Sequence, residues 1–264
     1  MTYFEVISLV VAGLLVGFIN TLAGGGSVIS LSVLMLLGLS PSMANGTNRI
    51  AITIQTFTAS LSFKKQNVLE TKTAIRLAIP EIIGSLLGAW IAVDIPEWIF
   101  KRAMGVILLF MLVLMSLKPQ KYLYGKSDGK QSKLTYKSII LFFFIGLYGG
   151  FIHVGVGYIL LAGIILGLGK DLVKANAIKV FMVLLYAPFT LLIFLLNDQV
   201  NWSYGLIMTI GNVVGALIAA RLAVKKGVEF IRWVVIVVIL ITSMQLLGIV
   251  DLGVLFQEFR AKGV

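Results

Sequence analysis

Two apolar regions of this 264-residue chain, 4–39 and 138–168, are too long for a single membrane-crossing helix and are interrupted by glycines. A helix needs about 20 residues to cross about 30 Å of hydrocarbon. The part of the first region that follows its glycines, 28–39, would rise only about 18 Å as a helix. Because lipid cannot hydrogen-bond to backbone that has left the helix, such a break must be buried in protein or line a wet cavity. We therefore predict that each region folds as a broken helix pair around a cavity.

The composition indicates an integral membrane protein. Hydrophobic residues make up 59% of the chain and charged residues 12%, whereas soluble domains have about 45–50% apolar and about 25% charged residues. We predict an all-α, polytopic transmembrane helical bundle. Its apolar segments of full spanning length lie at 44–63, 73–93, 98–117, 174–196, 203–222 and 228–248.

The basic residues indicate the orientation of the chain in the membrane. The longest loop, 118–137, carries six lysines against one acid, Asp128, within a net charge of +11. Membrane proteins keep Lys and Arg in their cytoplasmic loops, so we predict that 118–137 is a cytoplasmic basic linker. No basic stripe is interleaved with aromatic residues as nucleic-acid binding requires, so we expect no nucleic-acid partner. The chain has no cysteine, and we predict no cofactor and no metal site.

The segments on either side of the linker, 1–117 and 138–264, carry the same pattern. Residues 17–20 (GFIN) match residues 150–153 (GFIH). Each half contains five segments, a glycine-broken helix pair followed by three spans. An odd number of segments turns the second half upside down relative to the first. We therefore predict two inverted repeats, the architecture of many secondary transporters.

Glycines four residues apart recur in the two halves, at Gly84 and Gly88 and at Gly211 and Gly215. Such spacing places the glycines on one face of a helix, where they allow a neighbouring helix to approach closely. We predict a packing role for them.

The first interruption brings polar groups to the point where a helix restarts. Asn20 and Thr21 precede the run Gly25, Gly26 and Ser27, and we expect Ser27 to cap the new helix. The N–H groups at a helix N-terminus carry about half a positive charge, which suits an anion. We predict that these residues contact an anionic substrate.

The second copy has His153, Gly155 and Gly157 at the corresponding place, and we assign them to the same site. His153 could bind the substrate, carry a proton or donate a structural hydrogen bond. Glu81 is the carboxylate well inside a predicted span. It could be a proton-coupling site or the partner of a buried base.

Two basic residues are predicted at membrane depth. Ser40 and Asp171 look like helix N-caps, which places Asn48 and Arg49 about 11 Å along one helix and Lys179 about 12 Å along its counterpart. A charge at that depth costs about 2.5–3.5 kcal/mol on insertion scales and usually has a function. The alternative is that both side chains extend to the headgroups. With amides, hydroxyls and N–H groups around them, these cations favour an oxyanion as ligand.

The sequence GFINTLAGGGS, a later PxxANGTNR stretch and the degenerate second copy resemble the sulfite exporter TauE/SafE family. The resemblance covers nearly the whole chain. It implies a multi-pass transporter of the plasma (inner) membrane that moves sulfite, thiosulfate, sulfonates or related organosulfonates. It also implies that Asn20, Asn48 and Arg49 face the substrate, as do His153 and Lys179 of the second copy.

We expect this protein to be a secondary transporter and not an enzyme, working by alternating access and acting as an exporter. An anion channel, or a carrier of a non-sulfur organic anion, would fit the same scaffold. An intramembrane enzyme would need paired carboxylates, a Ser and His pair or a metal cluster, and the sequence offers little for these. A signalling subunit that senses a ligand is a further alternative. A proton is the candidate coupling ion, and the oligomeric state is left open.

Overall fold

The computed structural model describes residues 1–100, 102–104, 106–107 and 135–246, with side chains as far as Lys226. This part of the chain is helical and contains no strands. Its helices are α1 (Tyr3–Leu22), α2 (Ser27–Leu36), α3 (Pro41–Lys65), α4 (Thr71–Asp94), α5 (Tyr136–Phe151), α6 (Val156–Leu168), α7 (Leu172–Leu196) and α8 (Trp202–Leu246). Nearly all of the predicted linker 118–137 and most of the predicted span 98–117 lie outside the described residues.

Several helices have the length and apolar character of membrane spans. They are α1, α4, α7 and the part of α8 from Trp202 to Lys226. Large apolar side chains on α4, such as Ile79 and Ile83, are more than half exposed, as expected where a helix faces lipid. These features confirm the prediction of an all-α, multi-pass membrane protein.

Helix α3 is long enough to cross the membrane but is the most polar helix. Its 25 residues include Asn45, Asn48, Arg49 and Gln55, all of which are buried. Because lipid cannot satisfy such groups, α3 must be surrounded by other helices. The structure shows this, since α3 packs against both α7 and α8.

The predicted interruptions are present. The chain leaves the helix at 23–26, between α1 and α2, and at 152–155, between α5 and α6. Gly24 has a φ of 96° and Gly155 a φ of 67°, a backbone region that favours glycine. Helix α2 has only ten residues and rises about 15 Å, so it cannot cross the membrane alone.

Two of the three predicted helix N-caps are present. The Ser40 hydroxyl accepts a hydrogen bond from the N–H of Met43 at 3.3 Å, and the Asp171 carboxylate accepts one from the N–H of Lys174 at 3.0 Å. The prediction for Ser27 is wrong, because α2 begins one residue earlier than expected. Gly26 is its N-cap, and no side chain caps that end.

A second difference concerns the end of the described chain. The sequence predicts separate spans at 203–222 and 228–248, yet α8 is a continuous helix of 45 residues. The loop predicted between these spans is therefore wrong. Its basic residues indicated a loop by charge, but Arg, Leu, Ala, Val and Lys at 221–226 also propagate a helix, and the single Gly227 does not end it.

The packing of the helices is reciprocal between the two halves. Helix α1 packs along α8, α5 packs along α4, and α3 and α7 lie between these pairs. A Cβ atom at Gly84 or Gly88 would collide with the backbone of α5, and one at Gly211 or Gly215 with the backbone of α1. The predicted packing role of these glycines is confirmed. The inverted orientation of the repeats stays a prediction.

One ion pair ties the halves together at the polar ends of α4 and α6. Lys170 Nζ lies 2.7 Å from Glu70 Oε2. Partial burial acts to raise the pKa of the Glu70 carboxyl, but the hydrogen bond and charge of Lys170 outweigh it, with smaller help from Thr73 and Lys174. The pKa therefore lies below its ordinary value of 4.5.

We expect Glu70→Gln to lower the melting temperature in detergent at neutral pH. A depressed pKa means that the carboxylate stabilises the folded state above pH 4.5, and this contribution disappears as the pH falls through the folded-state pKa. The effect should be no more than about 1 kcal/mol. Melting curves of wild type and variant should therefore converge in acid. The Lys170→Met variant and the double variant complete a double-mutant cycle. If the double variant loses as much stability as the two single variants together, Glu70 and Lys170 do not interact.

Candidate functional site

The first interruption contacts the first turn of α6, directly after the second interruption. A Cβ atom built on Gly24 would lie against the backbone of Gly157, and one built on Gly157 would lie against Gly24. Gly25 is likewise covered by the ring of Tyr158. The broken segments of the two halves therefore meet inside the protein, with no room for larger side chains.

A small cavity of about 20 Å³ lies at this contact. That volume is enough for about one water molecule. Of the predicted site residues, Asn20, His153, Gly157 and Lys179 line it. The remaining lining residues, which sequence reasoning did not assign, are Gly24, Ile52, Gln55, Thr56, Val180 and Val183.

The spacing of Gln55 on α3 relates it to a predicted site residue but does not place it in the cavity. It follows Asn48 by seven residues on α3, which places both on the same helix face. Asn48 is fully buried and does not line the cavity, and neither of its amide atoms has a hydrogen-bond partner in the part of the chain that the structure describes. Gln55 Oε1 is also without a partner among the described residues.

Lys179 of α7 reaches across to the first half. Its side chain is 1% exposed, and Nζ donates to the carbonyl oxygens of Asn20 at 3.0 Å and Thr21 at 3.2 Å. These carbonyls belong to the last turn of α1, where the helix carries a partial negative charge. The cation therefore stabilises the end of the broken helix while facing the cavity.

Arg49 of α3 makes the matching connection to the second half. Its guanidinium donates to the carbonyl oxygens of Gly150 at 2.5 Å and Gly149 at 3.3 Å, near the end of α5. It also donates to Thr190 Oγ1 at 2.9 Å and lies 4.7 Å from the centre of the Phe194 ring. Arg49 is fully buried but does not line the cavity.

Neither basic side chain extends to the headgroups, so that alternative is wrong. Each cation comes from one half and binds the end of the other half's broken helix. Both lie close enough to His153 to act on its ring electrostatically. They therefore flank the same region, with Lys179 at the cavity and Arg49 behind it.

The remaining residues of the first motif lie around the restart of α2. Ser27 Oγ accepts a hydrogen bond from Asn20 Nδ2 at 3.3 Å, and the buried Thr21 hydroxyl has no hydrogen-bond partner among the residues that the structure describes. Within the described chain, the N–H groups of Gly25, Gly26 and Ser27 donate to no acceptor. Such N–H groups at a helix N-terminus suit an anion. Gly155 holds the equivalent N-cap position of α6.

His153 and Glu81 differ in their partners. His153 Nδ1 lies 2.9 Å from the hydroxyl of Tyr186, so the ring makes a structural hydrogen bond and also faces the cavity. Glu81 is fully buried in α4, and neither carboxyl oxygen has a partner among the described residues. The expectation that Glu81 pairs with a buried base is therefore wrong.

Comparison with known proteins identifies the family. Residues 9–246 match the family described as sulfite exporter TauE/SafE. The chain belongs to this family. No solved structure matches the chain.

The relatives in this family are named as transporters. A probable membrane transporter protein of Haemophilus influenzae is 30% identical over 85% of this chain and 88% of its own length. One from Sinorhizobium, ORF9, is 28% identical over 91% of each chain. The Escherichia coli K12 protein YfcA is 25% identical over 89% of this chain and 86% of its own length. This protein is therefore a membrane transporter and not an enzyme.

Proposed function

We propose that this protein is a secondary transporter of small sulfur-containing anions, such as sulfite, thiosulfate and sulfonates, and that it exports them by alternating access. The observation that carries the proposal is the cavity at the contact of the two interruptions, with Lys179 in its wall. The family description supports a sulfur oxyanion as substrate. The relatives are named only as probable membrane transporters.

The chemistry of the cavity supports an anion. Its polar lining consists of Asn20, Gln55, Thr56, His153 and Lys179, and the described lining residues include no acid. Lysine, amide and hydroxyl groups donate hydrogen bonds, and a charged donor strengthens the bond to an oxyanion. The free N–H groups at the start of α2 add to the positive potential. To a cation, the lining offers amide and hydroxyl oxygens but no carboxylate.

The reciprocal connections supply the moving parts of the mechanism. Lys179 and Arg49 hold the helix ends of opposite halves, so a movement of one half against the other must change these contacts. An anion that enters the cavity competes with the α1 carbonyls for the Lys179 ammonium group. We infer that this exchange of partners loosens the contact between the halves and allows the site to open to the other side.

The small volume of the cavity favours a carrier over a channel. A cavity of about 20 Å³ holds about one water molecule and is too small for a sulfite ion, so the site must widen to load the anion. In the inner membrane, with loop 118–137 in the cytoplasm, export of an anion is assisted by the membrane potential. The potential contributes about 2.3 kcal/mol per charge per 100 mV.

A thermal-shift screen of the purified protein tests the proposed substrate class. We expect sulfite, thiosulfate or a sulfonate to raise the melting temperature, because a ligand that binds only the folded state stabilises it, by about 2.7 kcal/mol at one hundred times its Kd. Sulfate, chloride and carboxylates at equal ionic strength are the controls. A shift with carboxylates alone would favour a non-sulfur organic anion. The absence of any anion-dependent shift would contradict the proposal.

A further inference from the structure

Glu81 forms a second site that the anion cavity does not explain. In a membrane protein, a fully buried carboxylate without a hydrogen bond or a cation is very costly, because neither water nor lipid stabilises its charge. Arg49 and Lys179 are occupied with helix ends and do not bond to Glu81. The carboxyl group must therefore be neutralised by a bound ion.

We infer that Glu81 is a proton-binding site of this transporter and that Tyr186 and His153 connect it to the anion cavity. Glu81 and Tyr186 lie against neighbouring turns of α5, because a Cβ atom on Gly146 would collide with the Glu81 backbone and one on Gly149 would lie 3.1 Å from the Tyr186 hydroxyl. The Tyr186 hydroxyl is 2.9 Å from His153 Nδ1, and the His153 ring faces the cavity. All three side chains are buried, so the connection runs through the interior of the protein.

The surroundings of Glu81 favour a proton over a metal cation. Helix α4 packs on α5 and α7, which carry Tyr148 and Tyr186, two groups that interact electrostatically. The Tyr148 hydroxyl is already engaged with the carbonyl oxygen of Val154. No group of three or more His, Cys, Asp or Glu residues suited to a metal occurs in the described part of the chain. A hard cation needs several oxygen ligands, whereas a proton needs only the carboxylate.

The lysines on these two helices do not neutralise Glu81 either. Lys137 at the start of α5 is exposed, and Lys174 of α7 lies 3.8 Å from Asp171. Lys179 donates to the end of α1. Within the described residues, a proton is thus the remaining means of neutralising the carboxylate.

Glu81 makes no hydrogen bond to Tyr186 in the described state, so the proton leaves only after the carboxyl group rotates to meet the Tyr186 hydroxyl. The Glu81 carboxyl then gives its proton to the Tyr186 oxygen, Tyr186 gives its own proton to His153 Nδ1, and the products are a carboxylate and an imidazolium. Because Arg49 and Lys179 both act on His153, a third positive charge there is stable only when an anion occupies the cavity. The proton and the anion should therefore move together, in the same direction, and a divalent anion that moves with one proton still carries a net negative charge on which the membrane potential acts. This coupling rests on the proposed function.

Proteoliposomes test the coupling with thiosulfate, which does not titrate near neutral pH. We expect an inwardly directed pH gradient to drive thiosulfate accumulation by wild type, and Glu81→Gln to lose this accumulation while keeping thiosulfate counterflow without a gradient. Asp94→Asn, an exposed carboxylate at the end of the same helix, is the matched control and should behave as wild type. Accumulation by Glu81→Gln equal to that of wild type would overturn the inference. If the wild-type protein shows no thiosulfate counterflow, that result would count against the proposed substrate.

Infrared spectroscopy tests the bound proton without any transport. At neutral pH the wild-type protein should show the carbonyl stretch of a protonated carboxylic acid, and this band should be missing from Glu81→Gln. The amide variant has nearly the same shape, and its melting curve in detergent confirms that it is folded. A wild-type spectrum without a protonated-acid band would overturn the inference even if anion transport is found.

Discussion

Lys179→Met is expected to lower anion transport strongly while the protein still folds. Lys179 is the cation in the wall of the cavity, and the residue is 1% exposed. A hydrogen bond to a charged group contributes about 1.5–3 kcal/mol, which corresponds to a loss of about ten- to 150-fold in anion affinity. The methionine chain fills nearly the same space. Counterflow in proteoliposomes and the anion-dependent thermal shift should both fall.

Lys174→Met is the matched control for this prediction. Lys174 lies on the same helix, its side chain is 50% exposed, and it pairs only with Asp171 at 3.8 Å. The anion flux of the Lys174→Met variant should stay close to that of wild type. If Lys179→Met transports anions as well as Lys174→Met does, Lys179 is not a substrate ligand. Arg49 is less suitable for this test, because its loss would leave the carbonyls of Gly149 and Gly150 without their donor.

Gly24→Ala is expected to destabilise the protein severely and to abolish transport. The added methyl group would collide with the backbone of Gly157, so the two interruptions would have to separate. Overpacking of this kind costs about 1–3 kcal/mol. The left-handed backbone at φ 96° adds about 1–2 kcal/mol for any residue other than glycine. Melting curves in detergent and counterflow measure the two effects.

Two other glycines separate these contributions. Gly38 has the same φ of 96° but no atom within 4 Å of an added Cβ, so Gly38→Ala reports the backbone cost alone. Gly167 also has open space around it and lies inside α6, so Gly167→Ala should be neutral or slightly stabilising. If Gly24→Ala is no less stable than Gly38→Ala, the contact between the interruptions does not matter for the fold.

Helix positions were predictable wherever a local signal exists. The caps at Ser40 and Asp171 were found because an N-cap side chain bonds to backbone only three residues away. Ser27 was misplaced because the glycines before it allow the helix to begin one residue earlier. The loop predicted near 223–227 was wrong because its charge indicates where a segment lies relative to the membrane and not whether it is helical.

The partners of the site residues were not predictable. That Arg49 and Lys179 are buried follows from their depth in apolar segments, but their acceptors lie 100 or more residues away in the sequence. Gln55 and Thr56 line the cavity only because of how α3 is rotated against α7. Glu81 was expected to have a basic partner, and the packing of α4 gives it none among the described residues.

The sequence by itself determined that this is a multi-pass helical membrane protein with two glycine-broken helix pairs. It could do so because apolar length, glycine runs and caps act within a few residues of the chain. Only the tertiary structure decided that the breaks touch, that each half's cation binds the other half's helix end, and that Lys179 faces the cavity while Arg49 does not. These features depend on the distances and rotations between packed helices, which no local pattern encodes.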